Sequence, residues 1–191
     1  MQKQKFKLIV AYDGTGYEGW QVQKIGTGVQ QLVETALAKL FPSAPRLHSS
    51  SRTDTGVHAV GMVAHFEVPK GEFRIPLKKL TLALNAHLPE DIRVVSATRC
   101  AADFHARFSA TGKQYRYFVW TRPPHNPRLR RRAGHVPKNL YLQVRRTAAG
   151  GLLGRRDFAC FAATRQYEMK SAVRTLRRCE IQRRGALLTF I

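Results

Sequence analysis

Residues 51–68, SRTDTGVHAVGMVAHFEV, combine a polar turn with a β-strand. Apolar side chains recur at every second position of the second part, which is typical of a strand with one buried face: Met62, Ala64, Phe66 and Val68. The side chains between them are predicted to lie on the opposite face: Val63, His65 and Glu67. The turn is predicted at 53–56, where Gly56 permits a sharp change of direction.

One strand and one helix are predicted on each side of this stretch. The first helix has Thr27 and Gln30 as a capping box, and the second has Pro76 in its first turn. In chain order the elements are strand 6–12, helix 29–40, a possible short strand 46–52, strand 61–68, helix 76–88 and strand 92–100. This order is the split βαβ pattern of a ferredoxin-like lobe.

The second half of the chain repeats this pattern loosely. The predicted elements are a strand at 113–121, a proline-rich loop at 122–127, a weak helix at 140–153, a strand at 173–183 and a strand from 186 onward. We therefore expect an α+β protein with an N-terminal ferredoxin-like lobe at 1–105 and a C-terminal basic lobe at 106–191.

The charge of the chain is strongly positive. There are 33 Lys and Arg against 12 Asp and Glu, a net charge of +21, and residues 101–191 hold 20 of the basic and 4 of the acidic side chains. With 43% apolar residues the chain can still form a folded core. Nucleic acid is the favoured partner, because neutralising phosphates releases counterions. A membrane surface is less favoured, since the arginines fall in strand-like and turn-like segments rather than on an amphipathic helix.

Several classes of protein are excluded by composition. The cysteines number three and contain no C-x-x-C pair, which argues against a disulfide framework and a cysteine zinc site: Cys100, Cys160 and Cys179. The apolar run LIVAY near the N-terminus is shorter than a signal peptide requires, and no run approaches the length of a membrane span. A reducing cytoplasm without membrane attachment is expected.

Residues 14–19, GTGYEG, match the G-x-G-x-x-G pattern after a strand. In a dinucleotide site the helix opens within the glycine motif. Here the helix is predicted only from Val29, so we favour a tight turn that also touches RNA over a cofactor site.

Asp54 is the candidate reactive side chain. An Asp before a Thr-Gly turn often only caps its own backbone. However, Arg52 lies two residues before it and can keep it ionised, and the flanking strands would hold it on a rigid edge. His58 is a possible base partner, with a structural role as the alternative.

Three motifs resemble those of a known family: RTDTGVHA at 52–59, YDGTGYEGWQ at 12–21, and FHARFSA at 104–110 followed by KQYRY at 113–117. Together they look like the TruA family of tRNA pseudouridine synthases, over about residues 6–190. The motif around Asp54 is the most specific of the three.

The resemblance implies a pseudouridine synthase fold, in which two ferredoxin-like α/β lobes share a mainly antiparallel sheet with a central catalytic cleft. It implies isomerisation of uridine to pseudouridine in the anticodon stem-loop of tRNA, without a metal, nucleotide or organic cofactor. It also implies a homodimer with tRNA spanning both subunits.

By the same resemblance, Asp54 is the catalytic nucleophile, which attacks the flipped uridine at the sugar carbon or the base ring. Tyr115 corresponds to the substrate-binding tyrosine, which stacks on the base or assists proton movement at C5; strand packing beside Tyr117 is the alternative. When the base is extruded, we expect the planar guanidinium of Arg52 to replace the stacking surface that the base has left. An ion pair between Arg52 and Asp54 is an equally favoured alternative. Arginines expected to hold the RNA backbone are Arg128, Arg130, Arg131, Arg132, Arg155 and Arg156.

The sequence departs from the family pattern in three places. Ser51 replaces a common Gly, and Arg156 replaces a usual His. A later Met-Val-Arg segment, whose arginine pairs with the catalytic aspartate in the family, has no counterpart, so we expect Asp54 to lack that partner and the natural chain to continue. A non-catalytic basic RNA-binding protein, either a shortened relative or a ribosome-associated module, is therefore the second hypothesis. A dehydrogenase is a distant third.

Overall fold

The structure, a computed structural model, describes residues 2–161 and 171–191. Its chain divides into two units, Met1–Gly112 and Lys113–Ile191. The expected α+β class is confirmed, because both units combine helices with mainly antiparallel strands. Of the helices in the described ranges, none is long and apolar enough to cross a membrane.

The first unit is built on a four-stranded sheet in which every neighbouring pair is antiparallel. Its strands are β1 (Lys3–Tyr12), β2 (His48–Ser49), β3 (Ala59–Pro69) and β4 (Ile92–Arg99), in the order β2-β3-β1-β4. All four were predicted, although β2 is only two residues long. Tyr12 lies opposite Ala59 in the register of β1 and β3. The segment after β1 and the loop before β3 therefore meet at the same end of the sheet.

Two helices complete the hydrophobic core of the first unit. They are α1 (Val29–Leu40) and α2 (Leu77–Asn85), both close to their predicted positions. Their apolar faces join the alternating buried side chains of β1 and β3 in one cluster, in which the Phe6 ring stacks on Phe66 and Phe73 with centroids 5.3 and 4.4 Å apart. Each such fully buried large side chain contributes about 1.5–3 kcal/mol, so this core is a rigid support for the loops at its edge.

The start of α1 differs from the predicted capping box. Gly28 is the N-cap residue, and the amides of Val29 and Gln30 donate to the backbone carbonyls of Gly19 (3.1 Å) and Trp20 (2.8 Å). The Gln30 side chain is buried and donates to the carbonyl of Leu47 instead. The capping-box prediction is wrong because the glycine-rich segment itself supplies the acceptors that the first helical turn needs.

His65 also departs from the predicted pattern. The alternation places it on the face away from the helices, yet it is only 3% exposed. The segment after β4 covers it: the Phe104 ring packs edge-on against the imidazole, and the Ala106 amide donates to His65 Nδ1 at 3.2 Å. Residue alternation along one strand carries no information about which later segment packs on that face.

In the part of the second unit that the structure describes, there are two small sheets and one α-helix. Its elements are β5 (Tyr117–Trp120), β6 (Gly134–His135), α3 (Leu142–Gly151), β7 (Gly154–Asp157), β8 (Val173–Leu176), β9 (Ile181–Arg184) and β10 (Leu187–Phe190). One sheet has the order β6-β5-β10-β9, and the other pairs β7 with β8. The predicted strand at 113–121 begins only at Tyr117, and that at 173–183 is two strands. The second unit buries little apolar surface: Ile181 and Leu188 are the largest buried side chains described there.

Candidate active site

Asp54 lies in the loop 50–58, which joins β2 to β3, and its side chain is exposed. The backbone around it is fixed by three hydrogen bonds. The Trp20 amide donates to the Thr53 carbonyl (3.0 Å), the Val57 amide to the Asp54 carbonyl (3.2 Å), and the Gly56 amide to the Tyr17 carbonyl (3.2 Å). Asp54 is therefore an exposed carboxylate on a firmly held backbone, which suits a group that must meet a substrate in one geometry.

The glycines of residues 14–19 support this loop. Gly19 has φ +86°, and a Cβ there would overlap the carbonyl oxygen of Thr53; a Cβ on Gly14 would overlap the carbonyl of Val57. The motif contains a three-residue 3-10 turn, Gly14–Gly16, and α1 begins only at Val29. The tight turn is confirmed, and the geometry of a dinucleotide site, with a helix opening inside the motif, is not present. The predicted contact with RNA stays a prediction.

Two tyrosines of the same segment form hydrogen bonds beside the loop. The hydroxyls of Tyr12 and Thr53 lie 2.8 Å apart, and Tyr17 donates to Asp91 Oδ1 at 2.5 Å. Burial raises the pKa of Tyr12, and the hydrogen bond with Thr53 partly opposes this. Burial, followed by the hydrogen bond to Asp91, raises the pKa of Tyr17. Both hydroxyls therefore stay protonated at neutral pH and act as fixed structural donors or acceptors.

Asp13 and His58 form a pair at the base of the loop. His58 Nδ1 lies 3.0 Å from Asp13 Oδ1 and 3.2 Å from the amide nitrogen of Gly14. Nδ1 can donate to Asp13 only when it carries a proton, and it can accept from Gly14 only when it does not. The imidazole thus links the two segments in either protonation state, through one bond or the other.

Sequence reasoning considered His58 but missed its partner Asp13, and it missed the hydrogen bonds of Tyr12 and Tyr17 beside the loop. The order of the strands could have indicated that these segments meet. In the β-α-β-β-α-β order β1 and β3 are adjacent and antiparallel, so the residues after β1 face those before β3. The motif at 12–21 and the motif at 52–59 are therefore two parts of one site.

The structure places the other predicted site residues on the surface. Arg52 is exposed, and the ion pairs of the described residues do not include one between Arg52 and Asp54. Tyr115 is 60% exposed and precedes β5, outside the regular strand; it belongs to the second unit, whereas Asp54 belongs to the first. Within the described ranges there is no group of three or more His, Cys, Asp or Glu suited to a metal ion.

All six arginines predicted to hold RNA are exposed. Four lie in or just after the 3-10 turn Pro127–Leu129, at the end of the proline-rich loop, and two lie on β7. They are Arg128, Arg130, Arg131, Arg132, Arg155 and Arg156. Phosphate binding requires cationic side chains at the surface, and these six meet that condition.

Comparison with known proteins identifies the family. A sequence model described as tRNA pseudouridine synthase matches residues 8–109, which include the whole of the Asp54 site described above. A Geobacter sulfurreducens protein called tRNA pseudouridine synthase A is 44% identical over 183 residues, 96% of this chain and 73% of the relative. This chain belongs to the tRNA pseudouridine synthase family.

Further relatives agree with this assignment. The tRNA pseudouridine synthase A of Syntrophotalea carbinolica is 48% identical over 158 residues, 83% of this chain and 62% of the relative. That of Neisseria meningitidis serogroup C is 39% identical over 188 residues, 98% of this chain and 69% of the relative. Similarity to the tRNA pseudouridine synthases therefore extends across both units.

Proposed function

We propose that this protein isomerises uridine to pseudouridine in the anticodon stem-loop of tRNA, with Asp54 as the nucleophile. The observation that supports this most directly is the exposed Asp54 carboxylate on a backbone held by Trp20 and Tyr17, inside the region that matches the family. An ionised carboxylate is a suitable nucleophile, because a covalent intermediate divides one difficult exchange into two easier steps.

The proposed reaction begins when the target uridine leaves its stack and reaches Asp54. A carboxylate oxygen forms a bond to the nucleotide, at the sugar carbon or the base ring, and the bond between that sugar carbon and N1 breaks. The detached uracil turns and forms a new bond from C5 to the sugar. The C5 proton is then lost, N1 carries a proton, and the carboxylate is released unchanged.

Tyr115 and Arg52 have proposed roles around that nucleotide. Tyr115 stacks on the extruded base and assists removal of the C5 proton, and its high exposure leaves the ring available for this. Arg52, also exposed and close to Asp54 in sequence, fills the space that the base leaves in the RNA stack. The six exposed arginines of the second unit hold the phosphate backbone.

The finer architecture is part of the proposal. The order β-α-β-β-α-β and the sheet order β2-β3-β1-β4 support a ferredoxin-like first lobe. We place the boundary between the lobes at 105/106, and propose that the lobes share a sheet and enclose the catalytic cleft. A cytoplasmic homodimer that binds one tRNA across both subunits completes the proposal.

Release of tritium from tRNA labelled at uridine C5 tests the reaction. The unaltered protein is expected to release tritium, Asp54→Asn to release none, and Glu90→Gln, an exposed carboxylate of the same unit, to behave like the parent. Tight tRNA binding without release by the unaltered protein would instead support the non-catalytic RNA-binding hypothesis.

A further inference from the structure

Phe108 is 77% exposed and lies within the motif 104–110, in the segment between β4 and β5. Its ring centroid lies 4.4 Å from that of His105, at an interplanar angle of 33°, and the Arg107 guanidinium carbon lies 5.8 Å from the Phe108 ring centroid. We name residues 104–109 the stacking loop. Most of the phenyl surface remains open to a further planar group.

The backbone of the stacking loop is held at several points. The Ala106 amide donates to the buried His65 Nδ1 at 3.2 Å. Ser109 closes the loop on His105: its amide donates to the His105 carbonyl (2.8 Å), and its Oγ accepts from the His105 amide (3.0 Å). Lys5 Nζ donates to the carbonyls of Ala102 and Phe104. These bonds fix the backbone position from which the Phe108 ring projects.

Three imidazoles meet beneath the loop. The His65 ring lies 5.1 Å from that of His48 and 4.7 Å from that of His105. The pKa of His65 is lowered to about 4. Burial is the largest cause, the neighbouring His105, His48 and Lys5 add to it, and Glu67 opposes the shift. His65 is therefore neutral at physiological pH and its Nδ1 is free of a proton, as the bond from Ala106 requires.

The surroundings of Phe108 favour a nucleic acid as the occupant of its open face. A single exposed apolar side chain is ordinary, but a phenyl ring grouped with a guanidinium and an imidazole suits a base and its phosphate. The net charge of +21 points to the same class of ligand. Both the stacking loop and the Asp54 loop are attached to β3, through His65 and Ala59, which lie about 20 Å apart along the strand.

We infer that the stacking loop binds an unpaired base of the RNA whose uridine is held at Asp54, with Phe108 stacking on the base and Arg107 adding charge. This rests on the proposed function, and it names a subsite of the same RNA. Because every base has a flat aromatic face, the subsite selects unpaired nucleotides rather than a particular base.

The test measures tRNA affinity in the Asp54→Asn background, where no turnover occurs. Phe108→Ala is expected to weaken binding about 5- to 150-fold, with an unchanged dependence on salt, because the interaction removed is stacking rather than charge. Phe108→Trp is expected to restore the affinity. Phe108→Leu, which keeps an apolar side chain without a ring, is expected to bind as weakly as Phe108→Ala.

Leu82→Ala provides the matched control, since Leu82 is 73% exposed on α2 of the same unit. Its affinity is expected to equal that of the parent, and thermal unfolding of all variants checks the fold. Unchanged binding by Phe108→Ala, or binding by Phe108→Leu equal to the parent, would overturn the inference. The proposed function has its own test. If the protein with Asp54 intact releases no tritium, the proposed function is wrong, whatever the binding result.

Discussion

The amide of Trp20 donates a 3.0 Å hydrogen bond to the carbonyl oxygen of Thr53, the residue immediately before Asp54. Through this bond the glycine-rich segment after β1 and the loop before β3 form one structural unit. The Trp20 side chain is buried, and its own carbonyl accepts from Gln30 at the start of α1. Asp54 is therefore connected to the hydrophobic core through its neighbour Thr53 and the buried Trp20.

Gly19→Ala is expected to displace the Asp54 backbone. The substitution adds a Cβ that overlaps the Thr53 carbonyl, at a φ of +86° that alanine disfavours. Displacement of a reacting group by about 1 Å can cost on the order of 100-fold in rate, so we expect a loss of this size in single-turnover pseudouridine formation. Gly16→Ala is the control, because a Cβ there meets nothing within 4 Å; an equal loss in both variants would contradict the explanation.

Asp13 and His58 are expected to stabilise the fold cooperatively. A double-mutant cycle with Asp13→Ala and His58→Ala, measured by urea unfolding, should give a coupling energy of about 0.5–3 kcal/mol, since the two side chains are in contact and only about one third exposed. Single-turnover rates should fall in each single variant because both residues hold the Asp54 loop. Additive free energies of unfolding would show that the contact contributes nothing.

His65 is expected to make the folded state sensitive to mild acid. Its pKa is about 4 when folded and about 6.5 when unfolded, so the unfolded chain binds more protons between these values. The stabilisation is present above pH 6.5 and is lost as the pH falls towards 4, by roughly 3 kcal/mol at most. Urea unfolding at several pH values measures this.

His65→Asn separates this effect from the titration of neighbouring groups. The amide oxygen can still accept from Ala106 but does not titrate. Glu67, whose pKa is lowered mainly by its hydrogen bond with Lys5, keeps that partner in the variant. The difference in pH dependence between the two proteins therefore isolates His65, and identical pH profiles would rule out its contribution.

Arg128 and Arg130 are expected to contribute to tRNA affinity through charge alone. Replacing both with alanine should weaken binding and lower the slope of log affinity against log salt by roughly 0.7–0.9 for each phosphate that is no longer neutralised. Lys78→Ala, which removes an exposed charge on α2 of the first unit, should leave the slope unchanged. A slope that is the same in all three proteins would exclude these arginines from the RNA interface.

Local patterns were sufficient to predict most of the first unit. The alternation at 62–68 and the helical spacing at 29–40 depend on residues close in sequence, so β3 and α1 lie where expected. The start of α1 could not be predicted, because its acceptors are the carbonyls of Gly19 and Trp20 rather than the side chain of Thr27. The burial of His65 likewise depends on a segment about 40 residues later in the chain.

The candidate site was predicted only in part for the same reason. The resemblance to the family named Asp54, and the family is confirmed, but the bonds that fix the loop depend on the pairing of β1 with β3. In the second unit, short strands such as β8 and β9 lack a long alternating pattern, and 173–183 was therefore predicted as one strand.

Strand β3 sets the separation between two places where RNA is proposed to bind. Because successive residues of a strand advance by about 3.3 Å and point to opposite faces, the length and the phase of β3 are both fixed. Insertion of one residue between Ala59 and His65 would lengthen the span and turn His65 to the wrong side of the sheet. Relatives that recognise RNA in the same manner should therefore tolerate changes of side chain in this strand far better than changes in its length.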